Sequence, residues 1–327
     1  AVHKTVRILR RRYALDIVET LPLASIDEYR IVVRLANRAQ IDQLREDTRV
    51  SSVQEVQHFV MMRGPPSFGD IRPWQQLSTN VASLARLHQW ATGEGVRVGL
   101  IDTAVDVRHP DLEPGIARQE MFVCQRGEVS DLVHGTAVAG VIAARPNNGV
   151  GMVGFAPDVQ LTSYAACYHR DDWGETVCDT FSLAKALAAA SEDEVQLINM
   201  SLSGPEDRLL SRLIEALSDR GVIVVAAENA DDAALDFPAS MPQVIAVGKR
   251  DDNHESSLRL LKTEDEHLTT RAGGNYQFFY GSSMSAARVT ALIALLLQRN
   301  PDLSEQEVRE ALLGVIANCH GAPASGP

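Results

Sequence analysis

Between residues 96 and 247 the chain alternates short apolar runs with longer stretches of helical period. The runs fall at 96–101, 159–164, 195–200, 222–227 and 244–247, and residues 181–190 and 209–217 repeat apolar positions at helical spacing. Strands buried on both faces read as unbroken apolar runs. Their alternation with helices predicts an α/β fold, a mostly parallel sheet between helical layers. Active sites of such sheets collect at the carboxyl ends of the strands. Near the C-terminus an apolar helix ends at about Arg299, before Asn300-Pro301. Ser304 and Glu307 then form a capping box that opens a last helix through about Val315.

The first 66 residues follow another pattern. A strand is expected at about 29–35. A capping pair, Asn37 and Gln40, then opens a helix whose stripe, Ile41 and Leu44, continues to about Asp47, and a valine-rich second strand is expected near 50–60. This small α/β unit stops before Arg63-Gly64-Pro65-Pro66, which breaks regular structure. The expected division is a domain at 1–66, a linker at 67–78, a main domain at 79–317 and a tail at 318–327, loose from Gly321 onward.

With 45% hydrophobic and 23% charged residues over 327 positions, the composition is that of a folded soluble protein with one large core and a small second domain. The strongest apolar run near the C-terminus, 289–297, has about half the ~20 residues a bilayer span needs, so no membrane partner is expected. The net charge of -12 is uneven: residues 1–65 hold 11 Lys/Arg against 8 Asp/Glu, and the remainder 20 against 35. A basic module beside an acidic one suggests two surfaces that face each other, or two surfaces solvated separately. Nothing in it calls for nucleic acid. The basic first twelve residues lack the apolar stretch of a leader. Cys124, Cys167, Cys178 and Cys319 show no metal-ligand spacing. Cys167 with Cys178 is the best disulfide pairing because the intervening loop is short, and reduced core thiols are the alternative.

Four residues sit where chemistry could be done. Asp102 closes the run 96–101 and would stand at the end of a buried strand. His134 opens the small-residue helix His134-Gly135-Thr136-Ala137-Val138-Ala139-Gly140. Ser283 lies in Gly281-Ser282-Ser283-Met284-Ser285, at the start of an apolar helix whose N-H groups and dipole favour an oxyanion. Asn229 follows the run 222–227 and Glu228, where its amide could donate to that oxyanion. Singly each reads as an ordinary cap or turn residue. Four of them at four element ends form a constellation.

Val98-Gly99-Leu100-Ile101-Asp102-Thr103-Ala104-Val105-Asp106, His109-Pro110-Asp111-Leu112, His134-Gly135-Thr136, Ile198-Asn199-Met200-Ser201-Leu202 and the Ser283 segment resemble the subtilases. The resemblance covers most of residues 79–317. It implies a serine endopeptidase in which Asp102 orients His134, His134 takes the Ser283 proton, and Asn229 with the Ser283 N-H holds the oxyanion, the Asp, His, Ser order being that of subtilisin. It also implies that Ser201-Leu202-Ser203-Gly204 is an edge onto which a peptide or protein substrate adds as a strand. Residues 1–66 resemble the later part of a subtilase propeptide. That implies an intramolecular inhibitor and chaperone, with autoprocessing somewhere in 59–73; a recruiting or purely structural module is the alternative. Asp111 and Asn148 stand where the family holds a structural calcium, and no cofactor is implied for the chemistry. The even cysteine count leans toward an oxidising compartment, and the expected location is secreted or periplasmic.

The sequence departs from the family at Ala104, Ala137, Glu228, Ala287, Arg288 and Ala291, several of which replace glycine. Added side chains there need room in a site built around glycine. Glu228 is the sharpest case. On the wall of the pocket for the residue before the scissile bond it would favour a basic side chain; turned away it is only a solvated charge. A pseudoprotease that binds peptides without turnover is the reading opposed to an active enzyme.

Overall fold

Helix α1 (Val2–Tyr13) places Leu9 against Leu15 and Leu44, with Tyr13, Ile17, Val33, Leu35, Val50 and Val53 packed around them. A hairpin follows, β1 (Asp16–Leu23) antiparallel to β2 (Glu28–Arg34), with Asp16 opposite Arg34 and Leu23 opposite Glu28. The Asn37–Gln40 box forms as expected, each side chain bonding the other's backbone N-H at 3.3 Å, and it opens α2 (Ala39–Arg45). Asp47 closes this core. It accepts from the Tyr13 hydroxyl at 2.8 Å and from Arg49 Nε at 2.8 Å, and the Arg49 guanidinium holds its carboxyl well below the usual carboxylate range.

The expected strand at 50–60 is corrected. Val50 and Val53 each drop onto the Leu9 cluster, Val56 is exposed, and only His58–Met61 is a strand (β3). The chain divides into units at 1–57 and 58–327, so β3 belongs to the second unit and the division precedes the expected one at 66. The first unit is therefore helix, hairpin, helix. The computed structural model describes residues 2–61, 84–113, 115–123, 132–170, 175–229, 236–249, 260–263 and 266–320. The expected boundary at Arg63-Gly64-Pro65-Pro66, the linker, Cys124 and the tail from Gly321 lie outside them.

In the second unit seven parallel strands form one sheet. The strands are β4 (Arg97–Asp102), β5 (Ile116–Met121), β6 (Gln160–Ala165), β9 (Leu197–Met200), β11 (Ile223–Ala227), β12 (Val244–Lys249) and β13 (Leu260–Thr263), in the order β13-β12-β11-β9-β4-β6-β5. On one face Val98, Leu100, Leu197, Ile223, Val225, Ile245 and Val247 share a core with α3 (Val133–Ala143) and α6 (Ser282–Arg299). The alternate residues turn to the face where α4 (Thr180–Glu192) and α5 (Arg208–Ser218) pack on each other. Asp179 and Asp207 cap those two helices, each accepting two backbone N-H bonds. The Ser304–Glu307 box opens α7 (Glu305–His320), which runs past the expected end at Val315. No helix among the described residues is long and apolar enough to cross a membrane.

A second sheet is antiparallel. Its order is β10 (Leu202–Ser203), β3, β8 (Glu175–Asp179), β7 (Cys167–Arg170), and Cys167 and Cys178, opposite each other in register, are joined as the expected disulfide. A hairpin of β14 (Glu266–Arg271) and β15 (Asn275–Tyr280) packs on α3.

Candidate active site

Asp102 ends β4 in complete burial, and its carboxylate is met by His134 Nδ1 at 2.9 Å (Oδ1) and 3.0 Å (Oδ2). A carboxylate can only accept, so the proton lies on Nδ1 and the lone pair on Nε2. The Thr103 N-H adds a 2.6 Å bond to Oδ1. His134 Nε2 is buried and has no hydrogen-bond partner among the described residues.

The helix that carries His134 reaches the strand end because residue 135 is glycine. A Cβ there would collide with the Thr103 carbonyl oxygen, whereas the Gly135 N-H instead donates to Thr103 Oγ1 at 2.8 Å. Thr136 Oγ1 accepts from Asp106 N at 2.8 Å, and the Thr136 carbonyl accepts from Thr270 Oγ1 at 2.6 Å. The first turn of α3, which carries the imidazole, is thus clamped from β4, from the loop after it and from the β14 hairpin.

Ser283 sits in the first turn of α6, behind Gly281 at φ 111°, a conformation that L side chains resist. Its hydroxyl donates to the Ser201 carbonyl at 3.4 Å, and its own carbonyl accepts from Ser201 Oγ at 3.3 Å. Behind Ser201, Asn199 Nδ2 donates to Ser201 Oγ at 2.9 Å, and Thr290 Oγ1 donates to Asn199 Oδ1 at 2.9 Å. This chain of bonds ties β9 to α6. Helices α3 and α6 pack on each other, so His134 and Ser283 start from adjoining helices.

Asn229 is half-buried beyond the end of β11, and its Nδ2 donates to Asp236 Oδ2 at 3.2 Å. Glu228 lays its carboxylate over Gly248 of β12, while its N-H donates to the Val247 carbonyl at 2.9 Å and its carbonyl accepts from Ser282 Oγ at 2.6 Å. The residues that depart from the family pattern find room. Ala104, Ala137, Ala287 and Ala291 are all buried, the last three within the α3–α6 core, and the Arg288 guanidinium lies 5.1 Å from the centre of the Phe155 ring.

The edge at Ser201–Gly204 is taken by the chain itself. Leu202 pairs with Met61 and Ser203 with Val60, while the other side of β3 pairs with β8, Phe59 opposite Cys178. Phe59 is fully buried, packs on the Phe237 ring at 5.9 Å and lies directly over Gly204. The sequence signal was the apolar run Phe59-Val60-Met61, absorbed into the overlong strand expected at 50–60. Asp236 gave no signal, being a single acid before Phe237-Pro238.

Asp111 and Asn148 do meet, Asn148 Nδ2 donating to Asp111 Oδ1 at 2.7 Å. The Met152 N-H donates to Oδ2 at 2.9 Å, and the Tyr276 hydroxyl, its pKa raised by burial and by the bond it makes to this carboxylate, completes the set. Every partner of the carboxylate is an N-H or O-H donor. That arrangement does not fit a cation held by Asp111 and Asn148, which would need oxygens turned toward it.

A model of the subtilase family matches residues 93–318, and the chain belongs to that family of subtilisin-like serine proteases. Over 305 residues it is 29% identical to M-protease of Shouchella clausii (strain KSM-K16), covering 90% of this chain and 74% of that one. To subtilisin BL of Lederbergia lenta it is 31% identical over 251 residues, 73% of this chain and 89% of that one. Among solved structures, fervidolysin from Fervidobacterium pennivorans, a keratinolytic enzyme related to subtilisin, shares the fold with a TM-score of 0.73 at 20% identity, over 94% of this chain and 55% of that one. This chain thus spans about half the length of fervidolysin.

Proposed function

We propose that the chain is an endopeptidase whose nucleophile is Ser283, whose base is His134, and whose own segment His58–Met61 holds the substrate groove until the chain is processed. The observation that carries this is the buried Asp102–His134 contact, which leaves Nε2 as a fixed acceptor. Ser283 Oγ bonds to the carbonyl carbon of the substrate as its proton passes to Nε2. The oxyanion so formed takes N-H donors from Ser283 and from Asn229. His134 then returns the proton to the leaving amine, the C-N bond breaks, and water, deprotonated by the same Nε2, releases the acyl group. Asp102 stays ionised and stabilises the imidazolium.

A fluorophosphonate probe tests the reading. The purified chain should be labelled on Ser283, as located by tandem mass spectrometry. A folded chain that stays unlabelled after removal of residues 1–61 would instead support peptide binding without turnover.

Self-inhibition follows from β3. Met61 pairs with Leu202, and Leu202 follows Ser201, whose carbonyl accepts from Ser283 Oγ. The first bonds after Met61 are therefore the ones that chain connectivity delivers to the nucleophile, and mass spectrometry should find an N-terminal fragment ending there. The window expected from the sequence, 59–73, lies mostly outside the described residues. Phe59→Ala removes a wholly buried ring from the occupied groove. At about 3–5 kcal/mol for such a truncation, hydrolysis of an added peptide by the unprocessed chain should rise by about two orders of magnitude or more. An unaltered rate would separate β3 from inhibition.

Because the donors around Asp111 satisfy it without a cation, EDTA should shift the melting temperature by less than about 2 °C, whereas loss of a tightly held ion would lower it by about 10 °C. A large drop reversed by calcium would restore the metal reading.

A further inference from the structure

The proposed oxyanion donor is itself held by an acid that the sequence did not mark. Asn229 Nδ2 donates to Asp236 Oδ2 at 3.2 Å, both side chains half-buried. Asp236 is anchored by the residue that follows it: the Phe237 carbonyl accepts from the Gly204 N-H at 2.9 Å, and the Phe237 ring packs on Phe59 at 5.9 Å. The acid therefore stands between the wall of the groove and the amide at the end of β11.

We propose that Asp236 is a positioning residue that sets the orientation of the Asn229 amide for oxyanion binding. The inference rests on Asn229 being the oxyanion donor. The two ends of a side-chain amide are nearly equal in shape and opposite in function: the nitrogen donates and the oxygen accepts. Turned about its last torsion, Asn229 would offer the oxyanion an oxygen and repel it. A carboxylate accepts only, so Asp236 stabilises the orientation that brings nitrogen toward it. The bond to Asp236 fixes which end of the amide is nitrogen, and so which end the oxyanion would meet. The same carboxylate brings a negative charge near a developing negative charge, so its orienting and electrostatic effects oppose each other and different substitutions separate them.

Asp236→Ala removes both effects, whereas Asp236→Asn keeps an accepting oxygen and removes the charge. On a processed enzyme and a peptide amide substrate, Asp236→Ala should lower kcat about tenfold with little movement of KM, because orientation matters only once the oxyanion forms. Asp236→Asn should restore kcat to the parent level or above. Asn229→Ala should lower kcat by about 10²–10³, and adding Asp236→Ala to it should cost nothing more, since two residues acting through one contact are not additive. A loss from Asp236→Ala that persists in full in the Asn229→Ala background overturns the role, as does an effect confined to KM, which would mean that the acid touches substrate directly. Melting temperatures of all variants identify any that are simply unfolded, and the Asp236→Asn rescue decides the case if Asp236→Ala is one of them. If the parent enzyme neither turns over peptide nor reacts with a fluorophosphonate, the protease reading falls and this role with it. A reactive parent with additive losses sinks the role alone.

Discussion

Ser283→Ala is expected to lower kcat for peptide hydrolysis by about six orders of magnitude while peptide affinity stays close to that of the parent. In the proposed mechanism the hydroxyl forms the acyl-enzyme, and without it His134 would have no proton to take. The change should leave the fold intact. Ser283 is fully buried in the first turn of α6, its hydroxyl bond to the Ser201 carbonyl is long at 3.4 Å, and the tie from Thr290 through Asn199 and Ser201 ends on the Ser283 carbonyl, which alanine keeps. Residual catalysis should be that of the donors alone, about 10³–10⁴ over water. Steady-state kinetics with a melting curve check this, and a variant retaining more than about a thousandth of parental kcat would mean that the nucleophile lies elsewhere.

Asp102→Asn should lower kcat about 10⁴-fold at neutral pH. The cause is tautomeric rather than steric. Asparagine fits the space and can still accept the 2.6 Å bond from the Thr103 N-H with its oxygen, but its amide N-H₂, in the place of Oδ2, would face the His134 ring nitrogen now 3.0 Å from that atom. The imidazole would answer by carrying its proton on Nε2, where it no longer accepts from serine. Because β4 and α3 meet through Gly135 and Thr103 and not through this carboxylate alone, the variant should fold. NMR of the imidazole nitrogens would report the tautomer directly. A fall in peptide affinity at constant kcat would contradict the assignment.

Much of the catalytic unit was legible because its strands are buried on both sides. Central runs such as 96–101 and 222–227 contain little but apolar residues, and polar residues return at their ends, where Asp102 and Asn229 stand. The N-terminal unit was less legible. Helix α1 carries Lys4, Arg7 and three further arginines on a short segment and buries only Leu9, so its period is masked by charge. The valines after Val50 read as a strand, yet Val50 and Val53 are single anchors onto the Leu9 cluster. Partners remote in sequence left no pattern at all: the pairing of β3 with β8 and β10, and the hold of Asp236 on Asn229, are made by the fold. The donor set around Asp111 was illegible for a related reason, since Tyr276 enters from a hairpin more than a hundred positions away.

In the order β10-β3-β8-β7, the strand His58–Met61 is an interior member that holds its two neighbours apart and together. Take it out and the sheet becomes a bare two-residue strip on one side and a disulfide-laced ribbon on the other, with a row of unsatisfied amides and carbonyls facing each way across the gap. A processed molecule would then be a sheet with a vacancy, completed by each peptide in turn. Substrate would serve as its missing keystone, and the ribbon of β7 and β8 should be most open to self-digestion when the enzyme is starved of peptide.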